Sequence, residues 1–274
     1  MGFYEIKNML SKKLSLDFSK IAPTSPNSRG IPAPVGHSTS NTCGTCKECQ
    51  DYCPTEAIGV DAKEVLNIDY GKCLQCGICV KACPKSILKN TGFVHVLAFQ
   101  KEELRIQFQN GDFEPKEFDT PENILEFVKL TNRNGFKFRE VAASGNNAVE
   151  CEINASFNNV FDSEGNQAVS VASPKHADAI VFSGPVGKEM VYPLSSAWEC
   201  IPAPKALIAN GTEAISGGLF KEGGRPKNPD LFIGGDPPRP DVMISGYRKL
   251  MGRYQFSFQK EFKNFLLKMK ETIK

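Results

Sequence analysis

The C-terminal part of the chain alternates short apolar runs with glycine-rich or proline-rich loops. From Phe136 onward these runs are FKFREVAASG, ADAIVFSGP, KALIANG and DLFIGGDPPRP, and helix-length segments separate them. Strands of a parallel sheet have this continuous apolar pattern, because helices cover both faces of the sheet. The pattern therefore predicts an α/β domain with a parallel sheet over residues 136–240.

Two other segments show helical periodicity. Asp119-Thr120-Pro121-Glu122 is typical of a helix start, with Thr120 as N-cap, and predicts a linker helix to about Leu130 within residues 116–135. Apolar residues also recur at helical spacing near the C-terminus and predict an amphipathic helix. The residues on that apolar face are Phe258, Phe262, Phe265, Leu266, Met269 and Ile273.

The C-terminal segment is basic as well as amphipathic. Residues 241–274 carry eight Lys or Arg against three Asp or Glu. Such a helix can lie on an anionic membrane surface or dock on a partner. Because most amphipathic helices of globular proteins bury their apolar stripe internally, we expect it to pack on its own domain.

The N-terminal part divides into an arm and a cysteine-rich repeat. Residues 1–42 start with a short candidate helix, and a proline-, serine- and glycine-rich arm follows that we expect to be irregular. The segment TCGTCKECQDYCPTEAI then recurs as KCLQCGICVKACPKSIL, and residues 93–110 contain strand-like stretches. We place a separate, N-terminal domain at residues 43–115.

Eight of the ten cysteines lie in this repeat, with the spacing C-x2-C-x2-C-x3-C-P occurring twice. In this pattern three cysteines of one loop bind three irons of a 4Fe–4S cluster, and the fourth ligates the other cluster. Zinc sites usually present two cysteine pairs with a longer spacer, so the spacing favours iron–sulfur clusters. The prediction is two 4Fe–4S clusters, held by Cys43, Cys46, Cys49 and Cys83 and by Cys73, Cys76, Cys79 and Cys53.

The repeat resembles bacterial two-cluster ferredoxins, which implies an α+β ferredoxin-like fold for residues 43–115. Ser28-Arg29-Gly30 before the repeat and the hydrophobic strands after it resemble the ferredoxin-type subunits of complex I and of membrane-bound hydrogenases.

Residues 136–240 resemble the small cluster-bearing subunit shared by complex I and the energy-converting nickel–iron hydrogenases of the formate hydrogenlyase type. The resemblance lies in Glu150-Cys151-Glu152-Ile153, SPKHADAIVFSGPV (173–186), IPAPKALIANGTEAISGG (201–218) and GGDPPRP (234–240). It implies a flavodoxin-like, three-layer α/β domain.

Four cysteines hold one further 4Fe–4S cluster in that family. The matching positions here read Asn146, Val149, Glu213 and Asp236, or Ala148 and Val149 for the first pair in the complex I pattern. Valine cannot ligate iron, and carboxylates are hard donors mismatched to a soft cluster. The resemblance therefore implies that the domain has lost its cluster. Either side chains refill the pocket, which we favour, or Glu213 and Asp236 bind a cation or a partner's basic group.

Composition adds few constraints. The 274 residues are 41% hydrophobic and 23% charged, with a net charge of +2, and suit two modest soluble domains. No apolar run approaches the roughly 20 residues that span a bilayer, and the N-terminus lacks a signal-peptide pattern. We expect a cytoplasmic protein without a nucleic-acid partner, which reaches the cytoplasmic face of a membrane only through a partner. Cys151 and Cys200 are expected to be buried free thiols.

These observations favour a non-catalytic electron-transfer subunit of a hydrogenase-like or complex I-like oxidoreductase complex. The expected partner is a large subunit of that type or another redox protein. The cluster-less second domain would serve for docking. Two alternatives remain open. One is a redox-sensing assembly or regulatory protein that mimics a hydrogenase small subunit, and the other is a ferredoxin that donates electrons to soluble enzymes.

Overall fold

A computed structural model describes residues 16, 18, 28–35, 46–61 and 65–273 of the chain. The predicted N-terminal helix, most of the arm and Cys43 lie outside the described residues.

The described ranges contain strands and helices in a mixed order along the chain. The strands are β1 (Pro32–Pro34), β2 (Ile58–Val60), β3 (Leu66–Asp69), β4 (Leu88–Asn90), β5 (Val96–Ala98), β6 (Arg105–Phe108), β7 (Phe136–Ala142), β8 (Ala168–Ser170), β9 (Ala179–Ser183), β10 (Ala206–Asn210) and β11 (Leu231–Gly234). The helices are α1 (Glu48–Asp51), α2 (Ile78–Ala82), α3 (Glu122–Asn134), α4 (Ala148–Ala155), α5 (Lys188–Glu199), α6 (Thr212–Ser216), α7 (Pro240–Leu250) and α8 (Phe258–Ile273).

A six-stranded sheet with the order β5-β11-β10-β9-β7-β8 forms the centre of the C-terminal part. The five strands from β7 to β11 pair in parallel. Every residue of β9, β10 and β11 is buried, as expected for strands covered on both faces. The predicted parallel sheet is confirmed.

The sixth strand comes from the N-terminal side of the linker helix. Strand β5 pairs antiparallel with β11 and places Val96 opposite Gly234. A Cβ atom on Gly234 would lie 2.7 Å from Cγ1 of Val96, so the missing side chain lets β5 approach. The cysteine-rich part and the α/β part therefore share one sheet.

The cysteine-rich part adds two small antiparallel sheets. Strands β1 and β4 form one, and β2, β3 and β6 form the other in the order β2-β3-β6. The short helices α1 and α2 carry the middle of the two cysteine motifs, with Cys49 on α1 and Cys79 on α2. In each motif the third cysteine thus lies on a short helix.

The C-terminal segment 241–274 contains most of α7 and all of α8. Helix α7 is almost wholly buried. The aromatic face of α8 packs on the cysteine-rich part, since Phe262 lies 5.5 Å from Tyr70 and 5.1 Å from Phe93 between ring centroids. We expected α8 to pack on its own domain, but the aromatic surface that it covers belongs to the cysteine-rich part.

The linker helix differs from its prediction at both ends. Pro121 is the N-cap residue of α3, without a side-chain cap, so the prediction of Thr120 as N-cap was wrong. The helix runs on to Asn134, where Gly135 ends it with a φ of 72°. Proline suits this start because it lacks the N–H that a helix end leaves unpaired.

Within the described part of the chain, no helix combines the length and the apolar character needed to cross a membrane.

Candidate functional site

Four cysteines from both halves of the repeat line one cavity between β2, β3 and α2: Cys53, Cys73, Cys76 and Cys79. Their proximity also appears in their electrostatics, since Cys53, Cys76 and Cys79 each raise the pKa of Cys73. Cys53 thus lies with the three cysteines of the second motif. The structure therefore brings together the residues that crossed ligation requires.

Backbone amides point at the sulfur atoms of this cavity. The Ala57 N–H donates to Sγ of Cys53 at 3.3 Å, and the Gln75 N–H donates to Sγ of Cys73 at 3.4 Å. Hydrogen bonds of this kind stabilise the negative charge of a thiolate-bound cluster and tune its potential. The Arg29 guanidinium fixes the same loop by donating to the Cys76 carbonyl oxygen at 2.8 Å.

Two thiols of this cavity, those of Cys73 and Cys79, favour the protonated form. Burial raises the pKa of Cys73 and of Cys79 to about 12. Apolar side chains such as Ile58 and Ile68 line the cavity and leave the thiolates unsolvated. Because iron binds the thiolate, loading of this site must release protons.

The other predicted ligand set is described only in part. Cys46, Cys49 and Cys83 are half-buried, and Cys43 lies outside the described residues. Cys49 is close enough to Cys79 to raise its pKa, so the two motifs are neighbours.

Donor chemistry distinguishes this site from a mononuclear metal site. In the described ranges no three His, Cys, Asp or Glu side chains converge on a point that could hold a single metal ion. A cubane cluster takes one thiolate at each of four irons, so its ligands surround a volume and not a point. Four thiols around an apolar cavity, with amides directed at sulfur, fit a 4Fe–4S cluster.

Three of the four positions that match the further cluster site come together at the carboxyl ends of the parallel strands. Asn146 follows β7, Glu213 follows β10 and Asp236 follows β11. The backbone N–H of Asn146 donates to Glu213, and the Asn146 side chain bonds to Asp236. Open α/β sheets bind ligands at this edge.

Electrostatics in this former cluster pocket, defined by Asn146, Val149, Glu213 and Asp236, favour neutral carboxyl groups. Burial raises the pKa of Glu213, and Asp236 and Glu150 raise it further. Burial also raises the pKa of Asp236. The negative charge of Asp236 thus opposes the ionisation of Glu213.

The fourth position is filled by an apolar side chain. Val149 is 2% exposed, and its Cγ2 lies 2.8 Å from where a Cβ atom on Gly211 would be. Glycines also crowd Glu213, because Cβ atoms on Gly145 and Gly218 would lie 3.1 Å from its Oε2 and 2.9 Å from its Cγ. Glycines thus surround a pocket whose four positions carry no sulfur.

Arg239 does not neutralise the pocket. Its guanidinium donates to both carboxylate oxygens of Asp241, at 3.0 and 2.9 Å. Asp241 is 1% exposed, so this pair fixes the start of α7.

One residue that the sequence did not reveal joins the two sites. The Thr212 hydroxyl donates to the Cys73 carbonyl oxygen at 3.1 Å and accepts from the Gly235 N–H at 3.2 Å. Thr212 is the first residue of α6 and Glu213 is the second, so one helical turn contacts both the cysteine cavity and the former cluster pocket. Its position directly before Glu213 is the only hint that the sequence offers.

The two remaining cysteines are placed otherwise than expected. Cys151 and Cys200 are both exposed, so the prediction of buried thiols was wrong. Cys151 lies on the outer side of α4, and Cys200 directly follows the last residue of α5.

Comparison with known proteins assigns the two parts to two family models. Residues 42–87 match the 4Fe-4S dicluster domain, and residues 140–250 match the 20 Kd subunit of NADH ubiquinone oxidoreductase. The first match contains all eight cysteines of the repeat, and the second contains all four positions of the former cluster pocket.

Curated relatives match both the cysteine-rich part and the α/β part of the chain. Formate hydrogenlyase subunit 7 of Escherichia coli is 35% identical over 46% of this chain and 51% of its own length. NADH-quinone oxidoreductase subunit I 2 of Geobacter metallireducens is 36% identical over 36% of this chain and 82% of its own. A probable membrane-bound hydrogenase subunit of Pyrococcus furiosus is 30% identical over 45% of this chain and 77% of its own. The chain thus spans about half of the formate hydrogenlyase subunit and most of the other two.

Among solved structures, a chain of the archaeal membrane-bound sulfane sulfur reductase aligns with 56% of this chain and 90% of its own. Its TM-score is 0.36 at 16% identity, which is too low to support a conclusion.

The relatives are subunits of complex I-like and hydrogenase-like oxidoreductases, and the cysteine cavity has the donors of a 4Fe–4S site. This chain belongs to the iron–sulfur subunits of that family, with a 4Fe–4S dicluster domain at residues 42–87 and a domain of the 20 Kd subunit type at residues 140–250.

Proposed function

We propose that this protein is a non-catalytic electron-transfer subunit of a hydrogenase-like or complex I-like oxidoreductase complex. It passes single electrons through two 4Fe–4S clusters. The observation that carries the proposal is the cavity in which Cys53 meets Cys73, Cys76 and Cys79. Bound there, a cluster supplies a one-electron carrier, and the protein supplies thiolates, amide hydrogen bonds and exclusion of water.

The ligand assignment is part of this proposal. Cys73, Cys76, Cys79 and Cys53 hold one cluster, and Cys43, Cys46, Cys49 and Cys83 hold the other. The electrostatic proximity of Cys49 to Cys79 favours two neighbouring clusters, between which electrons can exchange.

The second domain is proposed to be a cluster-less docking module with a flavodoxin-like, three-layer architecture. Counted from β7, its parallel strands have the order 2-1-3-4-5, which is the order of flavodoxin-like sheets. The proposed divisions are an arm to residue 42, the cluster domain 43–115, a linker 116–135, the α/β domain 136–240 and the segment 241–274.

In this proposal electrons leave the protein without a third cluster. The contact from Thr212 to Cys73 places the cluster loop against the α/β domain, beside the former cluster pocket. A large subunit docked on that domain would bring its own redox centre close to the Cys73 loop. The protein would then lie on the cytoplasmic face of a membrane through its partners.

The test is a metal and sulfide count on the anaerobically purified protein. Two cubane clusters predict about eight iron and eight acid-labile sulfide atoms per chain. About twelve iron atoms would show a cluster in the second domain, and zinc in place of iron would overturn the proposal.

A further inference from the structure

We infer that the former cluster pocket receives a lysine or arginine side chain from a partner protein. This inference deepens the docking role proposed above and rests on it. It concerns a site in which acidic groups stand where cluster ligands stand in related subunits.

The pocket contains acidic groups whose described partners do not include a cation. Glu213 is 5% exposed and Asp236 is half-buried, and both bond to Asn146, a neutral amide. The nearby Arg239 is engaged by Asp241. Burying carboxyl groups without a counter-ion costs free energy, which an incoming cation would offset.

A third carboxyl group supplies an independent sign of a missing ligand. Glu150 is 8% exposed, and the Ser183 hydroxyl donates to its Oε1. Its Oε2 is buried and has no hydrogen-bond partner among the described residues. Glu150 contributes to the raised pKa of Glu213, so its carboxyl group lies beside the pocket. A buried acceptor without a donor is rare in native proteins and points to a group that is supplied from outside.

Glycine residues lie near both of these carboxyl groups. Ser183, the partner of Glu150, directly precedes Gly184 in the chain. A Cβ atom on Gly145 would meet Cα of Gly184 at 3.2 Å and Oε2 of Glu213 at 3.1 Å. Gly184 and Gly145 therefore connect the residue that bonds Glu150 with the surroundings of Glu213.

Two large apolar side chains that lie close to the pocket in sequence are exposed. Leu219 is 60% exposed and Phe220 is 62% exposed. They directly follow Gly218, whose own Cβ position lies 2.9 Å from Cγ of Glu213. Exposed large apolar side chains beside buried acids suit a protein partner, because the apolar stem of a lysine or arginine can pack on them while its charged head enters.

The geometry favours an organic cation over a metal ion. No three carboxylate or other ligating side chains in the described part of the chain converge closely enough to coordinate one ion. A guanidinium or ammonium group donates several hydrogen bonds in different directions and can reach acceptors that are spread around a pocket. Asp236 and Asn146 lie at the opening and would meet the cation first.

The test uses the iron-loaded full chain and small cations as probes. Calorimetric titration with ethylguanidinium or with ethylammonium should show saturable binding of one cation per chain. Neutral ethylurea should show no binding. Asp236→Asn and Glu213→Gln should each weaken that binding roughly tenfold or more, because each removes a charged acceptor. Glu126→Gln, at an exposed position of α3, is the matched control and should leave the binding unchanged.

Three results would overturn the inference. They are equal heats for ethylurea and the cations, unchanged binding in both pocket variants, and magnesium binding that excludes the organic cations. Iron content and reducibility by dithionite, measured on the same samples, separate the two proposals. A chain with full clusters and no cation binding refutes the inference alone, whereas a chain without clusters refutes the electron-transfer proposal.

Discussion

The cysteine cavity and the former cluster pocket lie next to the same helix but present different side-chain ligands. Both lie beside α6, where Thr212 contacts the Cys73 loop and Glu213 enters the pocket. The cavity keeps four thiols in an apolar surrounding. The pocket keeps its glycine framework but holds an amide, two carboxyl groups and a valine.

The comparison teaches that the backbone alone does not define a cluster site. Thiolates are soft ligands suited to iron–sulfur clusters, whereas carboxylates are hard ligands. Burial acts on the ionisable groups of both sites in the same direction, since it raises the pKa of Cys73 and that of Glu213. The thiols can still exchange their protons for iron, while buried carboxyl groups are stabilised by hydrogen bonds or by an external cation.

The largest expected effect is the loss of a cluster from the cysteine cavity. We expect Cys53→Ala to remove the cluster that Cys73, Cys76 and Cys79 hold and to lower the iron content by about four atoms per chain. Iron analysis and low-temperature EPR of the reduced protein measure this. Cys151→Ala, at an exposed cysteine outside the cavity, should leave both unchanged. Loss confined to the other cluster would show that ligation is not crossed.

The converse change should convert the pocket into a cluster site. A variant with Asn146→Cys, Val149→Cys, Glu213→Cys and Asp236→Cys combined should gain up to about four iron atoms after anaerobic reconstitution. The glycines that crowd the pocket are retained, so the cavity should still accept the new ligands. Each single substitution should gain no iron, since one thiolate cannot hold a cubane. A folded fourfold variant without additional iron would show that the cavity has closed.

A third change tests how much helix α8 stabilises the cysteine-rich part. Phe262 of α8 is fully buried and packs on Tyr70 and Phe93 of the cysteine-rich part. Phe262→Ala should lower the free energy of unfolding by about 3–5 kcal/mol, because it leaves a cavity among aromatic rings. Urea unfolding should detect this, with the visible absorption of the clusters lost at lower urea than in the wild type.

Leu267→Ala supplies the control for that experiment. Leu267 lies on the same helix and is 48% exposed, so its loss should change stability by less than about 0.5 kcal/mol. Equal effects of the two substitutions would mean that α8 does not stabilise the cysteine-rich part.

The sequence predicted those features that depend on local patterns. Continuous apolar runs predicted the buried strands β9, β10 and β11. Motif spacing predicted crossed ligation, which stays a prediction although Cys53 lines the cavity of the second set of cysteines. Features that depend on contacts between distant segments were missed. The pairing of β5 with β11, the packing of α8 on Tyr70 and the exposure of Cys151 all follow from the tertiary arrangement.

The smallest expected effect concerns the hydroxyl group that links the two sites. Thr212→Val keeps the shape of the side chain but removes the donor to the Cys73 carbonyl oxygen and the acceptor for the Gly235 N–H. Leaving such buried groups unpaired should lower the free energy of unfolding by about 1–3 kcal/mol. Thr212→Ser keeps the hydroxyl group and should recover most of that loss. The iron content of both variants should equal that of the wild type, because Thr212 touches a carbonyl oxygen and not a sulfur atom. Urea unfolding with iron analysis on the same samples measures both effects. The Thr212→Val variant could prove as stable as the wild type, or the Thr212→Ser variant as unstable as Thr212→Val. Either result would show that the hydroxyl group does not join the cysteine cavity to the former cluster pocket.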